Sequence, residues 1–545
     1  MRHASTRLSA LVAAALAVGA GAALVGGASA SADPPANDVQ YGAESRPAVA
    51  HATSQPVRDM PRHVNDLGAP SEAREPKPVP AAPSTRAADT QLQTTTTATT
   101  PSTPQVGFAG VGNGDYGFAV NSAPPDTSGA AGTTQYVQWV NQSFAVFPKV
   151  TSPGTAVVPL KGPISGNTLF SALGGGCAAN NDGDPIVQFD KIAKRWVLSQ
   201  FSVSTKPYLE CVAVSKTDDA TGAYNLYAFD YGSIQFNDYP KMSVWPDGYY
   251  VTYNIFNRAR TFAGAKACAL DRAAMIAGTA ATQQCFQLST SYNSLMPADV
   301  DGATLPPAGT PALLVSKGSS ALNSWRFHAD FTNAANATLT GPTTVPVPAF
   351  NAACSACVPQ QGTSQQLDTL GDRMMFRLAY RRLSSTGTDG DLVITHTVNA
   401  GLGTAQLAPR WYHLKLADGA TTTPTLVESG TYAPDSAYRW MGSIAMDKLG
   451  NIALGYSKSS STTHPSVQYA GRTPADPLGK LGSELNINSP LGSQLSNLSR
   501  WGDYSDMTID PVDDCTFWYT TEDLKTSGTF NWNTVIANFK LGGCS

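Results

Sequence analysis

From residue 106 onward, apolar and polar positions alternate over short runs that break on Gly, Pro, Asp or Asn, which is the pattern of half-buried strands joined by tight turns. The run "RWGDYSDMTIDPVDDCTFWYTTED" (500–523) reads as two strands on either side of an Asp-Pro turn. The same order of acid, strand, turn and aromatic strand recurs in "DPIVQFDKIAKRWVL" (184–198), "DYPKMSVWPDGYYVTYN" (238–254) and "YRWMGSIAMDKLGNIALGY" (438–456). Looser copies open at Asp126, Asp299 and Asp368. The starts 126, 184, 238, 299, 368, 439 and 503 leave room for two further strands in each unit, as in "LECVAVSKTDDATGAYNLYAFDY" (209–231). Helical periodicity is nearly absent, and "DRAAMIAG" (271–278) supports one or two turns.

A unit of four short strands cannot bury both of its faces alone. Radial packing of neighbouring units buries them and protects the edges. The prediction is an all-β fold, a seven-bladed β-propeller over 106–545, with six or eight blades as alternatives because the copies at 299 and 368 carry insertions.

The first 105 residues read differently. Arg2 and Arg7 precede an Ala-rich apolar run that ends in "ASASA", so 1–32 is expected to be a secretory signal peptide. Residues 33–105 hold twelve prolines, a single aromatic and a Thr-rich end, and are expected to form a disordered stalk or a pro-segment. The mature chain is then secreted, extracellular, without a membrane span, and a monomer. The full sequence carries a formal charge of −4 and 106–545 lacks a basic block, so nucleic acid as a partner is not supported.

All eight cysteines lie after residue 106, an even number that reads as disulfides in an oxidising compartment. Neighbour pairing, Cys177 with Cys211, Cys268 with Cys285, Cys354 with Cys357 and Cys515 with Cys544, is the simplest connectivity. The run "CSAC" has no second CxxC to complete a zinc site, so a local disulfide is expected there.

The runs "PPDTSGAAGTTQYVQWVNQSFAVFPK", "NDGDPIVQFDKIAKRWVLSQFSV", "FNDYPKMSVWPDGYYVTYN" and "RWGDYSDMTIDPVDDCTFWYT" resemble those of a group of secreted bacterial propeller proteins without an assigned activity. The resemblance spans essentially all of 106–545 and implies export and a propeller, but no reaction. The architecture is also similar to that of sialidases. The sialidase Asp-box is missing, however, so no catalytic residue of theirs carries over.

In a propeller the loops leading into the innermost strands meet at one mouth of the central channel. Asp126, Asp184, Asp238, Asp299, Asp368 and Asp503, with Arg439 in the sixth unit, are therefore expected to form a ring, flanked by Tyr239, Trp440, Trp501 and Tyr504. Three uses of the ring are open. Each Asp can cap its own turn. Several can hold Ca²⁺, with Asp182 and Asp184 of the oxygen-rich "NNDGDP" as candidate ligands. Or the ring binds a carbohydrate or cell-surface polymer, with Arg439, Trp440, Trp501, Tyr239, Tyr504 and Asp184 contacting it and Asp238 and Asp503 as the acid and base of a glycoside hydrolase or lyase. A non-catalytic binding protein and a glycan-active enzyme are both compatible with this reading. No HExxH, GxSxG or Walker loop is present, and "GNGDYG" (112–117) has no strand–helix context for a nucleotide loop.

Overall fold

A computed structural model describes residues 42–62, 71–72, 88–152, 156–401, 405–417, 423–489 and 491–544, all within one compact unit, Asn37–Ser545. The expected signal peptide and residues 33–41, 63–70 and 73–87 of the proline-rich segment lie outside the described residues.

Among the described residues the chain folds into seven successive antiparallel units of four strands. Their first strands are Ser128–Ala131, Ile186–Asp190, Gln235–Trp245, Met296–Asp301, Met375–Arg381, Tyr438–Met446 and Asp506–Ile509. Each first strand lies against the first strand of the next unit, and that of the seventh returns to lie against that of the first. In the fourth and fifth units this neighbour contact becomes a parallel pairing, Ala298 opposite Leu378 through Asp301 opposite Arg381. The result is a closed β-propeller. Ring closure uses the start of the domain: Val106–Ala109 is the outer strand of the last unit, antiparallel to Asn533–Phe539.

Local sequence explains the elements. First strands are buried on both faces, so they read as short apolar or small-residue runs such as "SGAA" and "IVQFD". The aspartate ending several of them caps the hairpin that follows. Asp190 Oδ1 accepts from the Ile192 and Ala193 amides, both at 3.0 Å, and Asp447 Oδ1 accepts from Leu449 and Asn451 in the same way. The one longer helical turn, Arg272–Ala277, starts where Asp271 accepts from the Ala274 amide.

The space between units is filled by large side chains. All nine tryptophans are fully buried there. Near the axis, polar groups tie the first strands together. Arg377 pairs with Asp299 and Asp301 and donates to the Met507 carbonyl, Lys191 pairs with Asp301, and Asp506 accepts from Ser128 Oγ and the Gly129 amide. Burial pushes the Asp506 carboxyl up to about 7.

The expectation that 33–105 is disordered is corrected for its described parts. Glu44–Pro47 adds a fifth strand to the third unit and Ala50–Thr53 a fifth strand to the second, while Leu92–Gln93 pairs with the outer strand of the fifth. Val57, Met60 and Gln93 are buried. Composition misled because a strand added at a sheet edge is held chiefly by backbone hydrogen bonds, which need no apolar side chains. The four disulfides join Cys177 to Cys211, Cys268 to Cys285, Cys354 to Cys357 and Cys515 to Cys544, the neighbour pairs.

Candidate functional site

The lead-ins to the first strands share one backbone bend. Asp126, Asp184, Tyr239, Leu370, Met441 and Asp503 all have φ between 42° and 59°. Non-glycine residues are uncommon in this left-handed region, where Asp and Asn are the best tolerated. That is the local reason why aspartate recurs there. In the third and sixth units the bend lies within a bulge, at Tyr239 and Met441, because pairing is interrupted between Asp238 and Lys241 and between Trp440 and Ser443. Asp238 and Arg439 therefore precede the bend by one and two residues, an offset that sequence alignment alone did not resolve.

The bends of the first, second, third and seventh units bring a compact cluster together. The Tyr504 hydroxyl donates to Asp184 Oδ2 at 3.0 Å, and the Tyr504 and Tyr239 rings meet edge to face at 5.6 Å. Lys241 Nζ lies 3.3 Å from the Tyr504 ring centre and 3.8 Å from that of Tyr239, and donates to the Pro240 carbonyl at 2.8 Å. The Arg373 guanidinium is 4.8 Å from the other partner, the Tyr239 ring, whose hydroxyl donates to the Met374 carbonyl. The Asp126 carboxyl is near enough to Asp184 for the Asp184 charge to act on it. Asn141 braces both loops: its Oδ1 accepts from the Asp184 amide and its Nδ2 donates to the Pro124 carbonyl. Gly183, at φ +98°, is required beside it, since a Cβ there would sit 2.1 Å from Asn141 Oδ1.

Electrostatics follow from burial and these neighbours. Burial pushes the Lys241 ammonium down to about 7, against the pull of Asp184, Asp126 and Asp238 and with the push of Arg373. Burial, then the Asp184 charge, holds Asp126 well above the usual carboxylate range. Glu210, behind the cluster, is raised to about 8 by burial. Asp184 and Asp238 are only half-buried, so they are the acidic groups the cluster presents to solvent. The cluster thus sets a buried Asp126 carboxyl, held well above its usual range, beside a half-buried Asp184 and an amine lowered to about 7.

Other expected site residues lie elsewhere. Arg439 is buried between Asp435 and Glu484, at 2.9 Å from each, and takes no part in the mouth. Trp440 and Trp501 are fully buried and pack on each other at 6.0 Å, so neither offers a ring face to a sugar. Asp503 is buried in an ion pair with Arg500. Asp299 belongs to the Arg377 network, and Asp368 caps its own turn through the Thr369 and Leu370 amides. Asp182 is consumed by the Val203 and Ser204 amides, at 2.6 and 2.8 Å, and by the Ser204 hydroxyl. Among the described residues no three His, Cys, Asp or Glu side chains are disposed to hold a metal ion. Sequence reasoning missed Lys241 and Glu210, which lie inside strands, and Arg373, in the turn before one, since a lone charged residue in such places carries no signal until the ring is closed.

No family model matches the chain, and no curated protein sequence does. Solved structures with some likeness include an endo-arabinase from Bacteroides thetaiotaomicron VPI-5482 (12% identity, 65% of this chain and 92% of that one, TM-score 0.27). A PL25 ulvan lyase aligns at 11% identity over 80% and 84%, TM-score 0.28. An exo-beta-1,3-galactanase from Phanerochaete chrysosporium aligns at 11% identity over 81% and 99%, TM-score 0.29. Likeness at this level assigns no chemistry to this chain. Among the described residues no helix is long and apolar enough to cross a membrane.

Proposed function

We propose that this is an exported propeller, of the kind that the unassigned bacterial group exemplifies, which binds a glycan or surface polymer at the mouth formed by Asp184, Asp238 and their neighbours. The observation that carries the reading is the convergence of Asp126, Asp184 and Asp238, from three successive units, about the buried Lys241. Exposed carboxylates accept hydrogen bonds from sugar hydroxyls, and a rigid backing of Tyr239, Tyr504 and Lys241 holds them in place at low entropic cost. Four disulfides suit an oxidising, extracellular setting.

The test is a glycan array read with wild type and with Asp184→Asn and Asp238→Asn. Each variant is expected to weaken binding about tenfold through the lost charge-assisted hydrogen bonds. Unchanged retention by both variants would sink the reading.

A hydrolase or lyase is the second reading, favoured by one observation: acidic groups gather at the mouth, and burial and the Asp184 charge raise the Asp126 carboxyl well above its usual range. Acid and base roles then fall to Asp184 and Asp238, since the ion pair with Arg500 occupies Asp503. New reducing ends or unsaturated products from a retained glycan would establish it. Calcium enters as a separate arm: a melting temperature that rises with Ca²⁺ and falls with chelator would place the ion in the function.

A further inference from the structure

A cavity of 570 Å³ is lined by residues other than those of the Asp126–Asp184–Lys241 cluster. It sits where the outer strand of the second unit, the start of the third unit and the added N-terminal strand Glu44–Pro47 meet, and its walls include Glu44, Arg46, Tyr231, Gln235, Lys266 and Gln287. Its volume falls within the range of small-ligand sites, roughly 300–1,000 Å³.

Its polar groups are buried and only partly satisfied. Lys266 is 4% exposed; its Nζ donates to Gln235 Oε1 at 2.6 Å and reaches Glu44 Oε2 only at 3.4 Å. The Tyr231 ring lies 5.8 Å from the same ammonium. Gln287 is 6% exposed and donates through Nε2 to the Ala263, Ala265 and Leu288 carbonyls, while its Oε1 has no hydrogen-bond partner. Lys266 and Gln287 face each other in register on adjacent strands, next to the Cys268–Cys285 crosslink that holds those strands together. One wall thus offers a buried cation, whose acidic partner among the described residues is a half-exposed carboxylate on the added strand Glu44–Pro47, here called the strap.

We propose that this cavity binds a small carboxylate, such as a uronic acid, with its anion on Lys266. Arg46 adds a second positive charge at the rim, where it pairs with Glu44. The Glu44 carboxylate occupies part of the ligand anion's position, so the strap both walls the site and competes for it. A weakly paired buried ammonium is costly, and a ligand carboxylate satisfies it.

The full mature chain is titrated with glucuronate, and with glucose as the neutral control, by isothermal calorimetry or by NMR shifts. Saturable glucuronate binding is expected, with glucose at least tenfold weaker. Lys266→Met is expected to reduce glucuronate binding at least tenfold, and Glu44→Gln, on the exposed strap where folding is not at stake, to tighten it severalfold. If Lys266→Met fails to fold, the Glu44→Gln result decides. Absence of glucuronate binding, equal affinity for glucose, or a Glu44→Gln variant no tighter than wild type would overturn the assignment. Because neither Asp184 nor Asp238 lines this cavity, glucuronate binding that survives Asp184→Asn separates this site from the channel mouth.

Discussion

Several carboxyls are buried so fully that the folded chain holds protons the unfolded chain would release. Asp506 is raised to about 7 and Glu210 to about 8 by burial, and Asp126 and Glu522 are raised in the same sense. A group whose folded pKa is raised contributes stability at low pH and loses it as pH climbs through the folded value. Buried His396, held below its usual value, acts in the opposite direction, but it is one group against four. Lys241, lowered to about 7, adds stability only as pH rises above that value. Stability to denaturant is therefore expected to fall between pH 5 and pH 7.5, by up to about 1.4 kcal/mol per pH unit for each extra proton held. The Asp506→Asn and Glu210→Gln double variant is expected to flatten that slope, measured by urea titration at several pH values. A wild-type curve that rises over this range would refute the protonation scheme.

Hairpins and straps carry the next level of organisation. Asp190 ends the first strand of the second unit, caps its turn, accepts from the Tyr249 hydroxyl at 2.9 Å and pairs with Arg272 at 2.7 Å. Asp190→Ala leaves Arg272 half-buried without its carboxylate and removes the turn's acceptor. The expected loss is about 3–5 kcal/mol, measured by chemical denaturation, while glycan retention at the mouth persists in the folded fraction. The strap acts on a different problem. By pairing with Asn225–Ala228 and Thr282–Cys285 it covers the outer edges of two sheets, and open edges template association. A chain beginning at residue 54 is expected to melt lower and to scatter more light on heating than the full mature chain; identical behaviour would show that the added strands are dispensable.

The molecule as a whole is held by closure. Val106–Ala109 completes the seventh unit from the far end of the domain, so the first and last strands of the ring support the same sheet. Deleting residues 88–110 leaves Asn533–Phe539 as a bare edge and opens the ring. Loss of cooperative unfolding in calorimetry is expected, whereas a chain shortened only to residue 88 keeps it. The axial network adds to this closure. Arg377 binds the fourth, fifth and seventh units at once, and Arg377→Met leaves Asp299 without its cation and Asp301 with Lys191 alone, at a cost of about 3–5 kcal/mol.

The repeat of strand, Asp-rich turn and aromatic strand was sufficient by itself for the all-β class, the propeller and the pairing of nearby cysteines. Each of these depends on short-range periodicity and spacing, which a linear chain carries. Proximity across the ring was a different matter. That Asp126, Asp184 and Lys241 gather at one point, and that Trp501 turns into the core, depends on ring closure; that Lys241 enters this cluster and that Arg439 and Trp440 turn away depends also on the bulges at Tyr239 and Met441. Such bulges shift side chains by a residue without altering the hydrophobic pattern. The strap at 44–53 escaped notice for the complementary reason: backbone hydrogen bonds to an edge strand leave no trace in side-chain composition, and only the assembled sheets reveal the partner.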